Sequence, residues 1–102
     1  MPDRNSIYFV LVDRGVGIGR SWIERDPASM DWQSTVEDVA SGEIEGMIEV
    51  REAATWADVT RDVALAVSTM WAHEGEPLSY EQYSFVEHQL GTRAARSFVR
   101  AA

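Results

Sequence analysis

The chain contains neither cysteine nor lysine. Without cysteine there is no disulfide, no thiolate nucleophile and no cysteine-bound zinc. Without lysine there is no Schiff-base chemistry and no P-loop lysine to grip a phosphate. Positive charge is short overall: nine arginines stand against 17 acidic residues, a formal net charge of −8. Binding to a nucleic-acid backbone relies on clustered basic side chains, so direct nucleic-acid binding is not expected. Long apolar runs are missing too. No stretch approaches the ~20 residues that cross a bilayer, and the first apolar run, IYFVLVD, is too short for a secretory signal. We expect a cytoplasmic protein that does not engage membranes.

The chain is 45% hydrophobic and 25% charged over 102 residues, which argues for one folded domain spanning 1–102 and against global disorder. The charge is uneven. All 17 acids precede residue 92, while the tail TRAARSFVRAA carries Arg93, Arg96 and Arg100 and no acid. Phe98 and Val99 suggest a short helix in that tail.

IYFVLVD (7–13) is dense in β-formers and reads as a strand buried on both faces. IGRSWIERD (18–26) reads as its hairpin partner, closed by Pro27. Asp31 is placed to cap a helix whose apolar face is Trp32, Val36, Val39 and Ala40, and Gly42 is placed to end it. EIEGMIEV (43–50) alternates: Ile44, Gly46, Ile48 and Val50 fall on one face, Glu43, Glu45, Met47 and Glu49 on the other. A second helix begins between Thr55 and Thr60, with Val59, Val63, Ala66, Val67, Met70 and Trp71 as its stripe and Gly75 and Pro77 as its stop. Ser79 and Gln82 have capping-box spacing, with Leu78 and Tyr83 at the staple positions, and open a third helix running to Gly91. The expected class is α+β: a three-stranded antiparallel sheet with helices packed on one face, in the order ββαβαα.

The glycines of DRGVGIGRSW raise the question of a phosphate loop. A dinucleotide fingerprint needs G-x-G-x-x-G between a strand and a helix. Here the glycines fall at 15, 17 and 19, and β-forming residues follow. No helix N-terminus is in place to hold an anion. A hairpin turn, which exploits glycine at positive φ, is the better reading. Arg20 keeps an anion-binding alternative open.

The stretches YFVLVDRGVGIGRSW, D-W-x-x-x-V-x-D-V-x-x-G-E and TWADVTRDVALAV together resemble a family of small, functionally uncharacterised bacterial proteins. In that family the first strand ends D-x-G-x-x-G-R-x-W, and a later segment reads W-x-D-V-[ST]-x-D-[IV]-A. Asp13, Gly19, Arg20, Trp22, Trp56, Asp58, Val59, Thr60, Asp62, Val63 and Ala64 match it. The turn between Asp13 and Gly19 is one residue longer than the pattern, and the resemblance spans most of residues 7–90. It implies no activity.

His73 and His88, each beside a glutamate, match no zinc spacing. Near helix C-termini they fit a solvated, dipole-favouring role. Ser/His/Asp combinations can be chosen freely from so many residues, and no G-x-S-x-G elbow is present. We therefore expect no catalytic residue, metal or cofactor. Trp32 and Trp71 fall on apolar helix faces, whereas Trp22 and Trp56 fall at a hairpin and a helix start, where aromatics mark interfaces. The candidate partner-binding residues are Arg20, Trp22, Glu43, Glu45, Glu49 and Trp56. Three functions compete. The first is a non-enzymatic module that regulates or inhibits a protein partner, with homodimerisation through a free sheet edge as one route. The second is a phage-type, anti-CRISPR-like inhibitor whose carboxylates mimic nucleic acid before a basic, nucleic-acid-binding protein. The third is a small enzyme or anion binder using Arg20 and His73.

Overall fold

A computed structural model of the chain describes residues 6–98. The elements are β1 (Tyr8–Asp13), β2 (Arg20–Trp22), α1 (Trp32–Ser41), β3 (Met47–Glu52), α2 (Thr60–Glu74), α3 (Tyr80–Leu90) and α4 (Thr92–Arg96), with a 3-10 turn at Pro27–Ser29. The fold is α+β, with a three-stranded antiparallel sheet in the order β2-β1-β3. Val99 and Arg100 of the basic tail lie outside the described residues.

Local chemistry sets the helix ends. The Asp31 carboxylate accepts from the Ser34 amide at 3.3 Å, and Gly42 ends α1 at φ 88°. The Ser34 contact holds the Asp31 carboxyl below its usual range. The Ser79 hydroxyl accepts from the Gln82 amide at 3.1 Å while the Gln82 side chain accepts from the Ser79 amide at 2.9 Å, a complete capping box. α2 begins at Thr60 without a side-chain bond at its cap residue, Val59. The Asp58 carboxylate accepts from the Thr60 amide at 2.9 Å instead.

The helices cover one face of the sheet. Tyr8, Val10 and Val12 of β1 and Met47 and Val50 of β3 are buried with Val36, Val39, Val63, Val67, Trp71, Leu78 and Val86. Trp71 packs edge-on against Phe85 and donates its indole N–H to the Ala40 carbonyl at 3.2 Å, tying α2 to α1. The other residues of β1, Phe9 and Leu11, are only half-buried. β1 is thus not buried on both faces: its odd positions lie on a face that carries no helix.

Two strands are shorter or later than the alternation predicts. β2 stops at Trp22 because the chain turns off the ladder after Ile23, whose amide donates to the Val10 carbonyl. The half-buried Arg25 guanidinium donates to the Tyr8 and Ser29 carbonyls and to the Thr35 hydroxyl, which anchors this departure. Pro27 opens the 3-10 turn rather than closing a strand. β3 begins at Met47, not Glu43, because Gly46 sits at φ 75° with its carbonyl accepting from the Asp13 amide at 2.9 Å. The β1–β3 register then shifts once, pairing Leu11 with Glu49 and Val12 with Met47. Ile48 is the extra residue of that bulge. Met47 therefore points into the core, opposite to its predicted face.

Candidate functional site: the helix-free face of the sheet

Antiparallel register places Trp22 beside Leu11, Arg20 beside Asp13, Glu49 beside Leu11 and Arg51 beside Phe9. Side chains directly opposed across strands share a face. All of these project from the side without helices. Trp56, in the loop after β3, folds back over them. Its ring centroid lies 5.4 Å from that of Trp22 and 5.9 Å from that of Phe9. Trp22 and Trp56 remain 41% and 49% exposed. Such tilted aromatic contacts contribute about 0.5–1.5 kcal/mol each.

Trp56 is the one non-glycine described residue at positive φ, 59°. A bulky side chain rarely adopts this left-handed conformation, which costs roughly 1–2 kcal/mol. Several contacts hold it there. Its amide donates to the Glu52 carbonyl at 2.8 Å, and the Glu52 amide donates to the Ala57 carbonyl at 3.0 Å. Arg51 donates from Nη1 to the Trp56 carbonyl at 2.9 Å while its Nε lies 3.3 Å from Glu49 Oε2. The exposed Arg20 guanidinium lies 3.8 Å from Asp13, a pair that solvent screens strongly. The face is thus two exposed indoles and a phenyl ring bordered by compensated charge.

The segment after Trp56 closes the outer edge of β3. The Val50 amide donates to the Thr60 hydroxyl at 2.9 Å, and the Val50 carbonyl accepts from the Val59 amide at 2.9 Å. Asp58 supports this seal by accepting from Thr60. That bonding, first from the Thr60 side chain and then from its backbone, holds the Asp58 carboxyl below its usual range.

The hairpin tip answers the question raised by the glycines. Gly15, Gly17 and Gly19 all lie at positive φ, but most of the loop's bonding capacity is already used within the turn. The Gly15 amide donates to the Asp13 carboxylate, the Ile18 and Gly19 amides to the Gly15 carbonyl, and the Arg14 amide to the Gly19 carbonyl. Four N–H groups that an anion would need are spent on the turn itself. Calorimetric titration with ATP and with NAD should therefore register no binding. A dissociation constant under about 100 μM, roughly −5.5 kcal/mol, would overturn this reading of the loop.

Of the candidate residues, the fold brings Arg20, Trp22, Trp56 and Glu49 onto one face. It separates Glu43 and Glu45 from them. These two sit in the loop before β3 and, with Asp13 and Arg14, line an open acidic cleft of about 730 Å³. The expected row of three carboxylates at strand spacing is thus not formed, because Gly46 interrupts the strand and Glu49 is held by Arg51. Arg20 and His73 do not converge either: Arg20 is on the helix-free face, and His73 ends α2 on the other side of the sheet. His88 is exposed in the last turn of α3. Among the described residues, no group of three or more His, Asp or Glu could hold a metal ion, and no helix is long and apolar enough to cross a membrane. The sequence reading missed Phe9 and Arg51. Their signal was present: once β1 covers a core on one side only, its odd positions must lie opposite alternate residues of β3.

No family model matches the chain, and no curated protein or solved structure does.

Proposed function

We propose that the chain is a non-enzymatic binding module that acts in the cytoplasm. It regulates or inhibits a protein partner by docking it on the helix-free sheet face around Trp22 and Trp56. One observation carries this reading. Two tryptophans far apart in sequence meet in a tilted contact at 5.4 Å on a face without helices, and one of them is kept in an unfavourable backbone conformation. Backbone strain is retained where the surroundings over-determine it, often at sites of function. Half-exposed, pre-ordered aromatics flanked by arginine have the composition of an interface centre. The residues that carry the resemblance to small bacterial proteins fit the same proposal. Asp13, Gly19 and Arg20 build the hairpin, Trp22 and Trp56 the aromatic pair, and Asp58 and Thr60 the edge seal.

The test uses Trp56→Gly. Glycine takes the left-handed conformation freely, so relief of backbone strain offsets the lost ring contacts, and the melting temperature should move by only a few degrees. A partner captured from the source cell by the parent protein should be lost with this variant. The same partner should be kept by a variant in which Glu43 and Glu45, which line the acidic cleft, are both changed to Gln. The reverse pattern would move recognition to the acidic cleft and sink the proposal.

A further inference from the structure

The two edges of the sheet are treated differently. On β3 the outward groups of Val50 and Glu52 are consumed: Val50 by Thr60 and Val59, Glu52 by Ala57 and Trp56. The Met47 carbonyl accepts from the Gln89 side chain at 3.4 Å. On β2 the situation is the opposite. The Ile23 amide donates to Val10, and the Arg14 amide donates to Gly19. Hydrogen-bonded pairs in an antiparallel ladder recur at every second residue, so the register of Val12 with Ser21 falls between those two as the third bonded pair. Ser21 therefore turns its backbone inward, and Arg20 and Trp22 turn theirs outward. Among the described residues no strand pairs with that outer side.

We infer that β2 pairs with β2 of a second copy of this chain. The edge is self-complementary about Ser21. A two-fold axis there sets Arg20 of one protomer against Trp22 of the other, and Trp22 against Arg20. Every outward amide and carbonyl of both residues then has a partner, giving four backbone hydrogen bonds. The side chains agree with the backbone. Arg20 and Trp22 both project from the helix-free face, so each guanidinium lies across the strand boundary from an indole, within reach of a cation–π contact. The Asp13 carboxylate beside Arg20 is screened, so the guanidinium leaves it at little cost to the fold. The product is a continuous six-stranded sheet, β3-β1-β2-β2-β1-β3, in which the two Phe9–Trp56–Trp22 clusters join into one aromatic stripe. Both of its outer edges are the sealed β3 edges, so assembly stops at two.

This pairing is separate from partner docking on the face, and the test keeps them apart. Sedimentation of the purified chain from micromolar to millimolar concentration should show a monomer–dimer equilibrium. Trp22→Arg places arginine opposite arginine and should raise the dimer dissociation constant by at least about tenfold. The double variant Arg20→Glu/Trp22→Arg makes each opposed pair oppositely charged and should recover the dimer. Glu43→Gln/Glu45→Gln, in the loop before β3, should leave it unchanged. Far-UV circular dichroism on each variant reads whether the fold persists. A monomer at millimolar concentration overturns the inference. So does a dimer that Trp22→Arg leaves intact, or a folded double variant that stays monomeric. A heterologous strand on this edge would give the first of these outcomes.

Discussion

Val67→Asp should abolish the cooperative thermal transition. Val67 and its neighbour one turn earlier, Val63, are completely buried between α2 and the sheet, within the core that includes Tyr8, Val10 and Val50. A carboxylate there has no cation to pair with, because every described arginine is at least partly exposed. Leaving a buried charge uncompensated costs on the order of 3–5 kcal/mol, beside the cavity and strain that the change of shape adds. A domain of this size has about 5–15 kcal/mol in total. Val63→Asp should behave in the same way. Leu65→Asp is the control: Leu65 lies on the same helix but is 47% exposed, and an exposed substitution usually changes stability by under about 0.5 kcal/mol. Melts followed by circular dichroism read all three. If Val67→Asp melts within a few degrees of the parent while Leu65→Asp does not, the helix face is wrongly assigned.

Gly46→Ala has the second-largest expected effect, and a second glycine isolates its cause. Gly42 and Gly46 both lie at positive φ, 88° and 75°. A Cβ on Gly42 would meet nothing within 4 Å, whereas one on Gly46 would lie 2.5 Å from the Asp13 carbonyl oxygen. Gly42→Ala therefore carries only the backbone penalty, about 1–2 kcal/mol. Gly46→Ala carries that penalty and a collision with backbone that has no rotamer to give. It must push β3 away from β1 or break the Asp13–Gly46 hydrogen bond, adding about 1–3 kcal/mol. For a domain of roughly 100 residues each kcal/mol lowers the melting temperature by about 4–8 °C. Gly46→Ala should thus melt well below Gly42→Ala. Equal melting temperatures would mean that the close approach of residue 46 to Asp13 is not rigid.

The same glycine shows what a sequence displays and what it conceals. Asp31, Gly42 and the Ser79–Gln82 box were legible because their chemistry is local, a side chain meeting a backbone amide three residues away. The apolar stripe of α2 was legible for the same reason: Val63, Val67 and Trp71 follow the helical period. The start of β3 was not. Residues 43–50 alternate as a strand does, but the Asp13 backbone, brought in from β1, fixes Gly46 in a conformation that no local pattern announces. With the strand broken there, the three-carboxylate row disappears and Met47 changes sides. β2 was overextended through a similar long-range effect, the pull of Arg25 on Tyr8, Ser29 and Thr35. The aromatic face was half visible. Trp22 and Trp56 stood out as placed for exposure, yet their meeting depends on a loop that folds back over the sheet. Phe9 was hidden inside an apolar run that looks buried throughout.

The strand order β2-β1-β3 also sets a timetable for the chain as it leaves the ribosome. β1 is the most apolar segment and occupies the centre of the sheet, yet it is made first. β2 follows at once and can close a hairpin on one side. The other side of β1, and the whole of its Tyr8–Val10–Val12 face, must wait for α1, β3 and then α2 to be synthesised. At roughly 5–20 residues per second that wait lasts seconds, far longer than the microseconds in which a hairpin forms. The nascent hairpin thus presents a bare apolar surface and an open strand edge throughout that interval. Its protruding turn, with glycine at the three positive-φ positions, lets the two strands pair before the covering helix arrives. Shortening or scrambling that turn would be felt in the yield of folded protein before it was felt in the stability of the finished one.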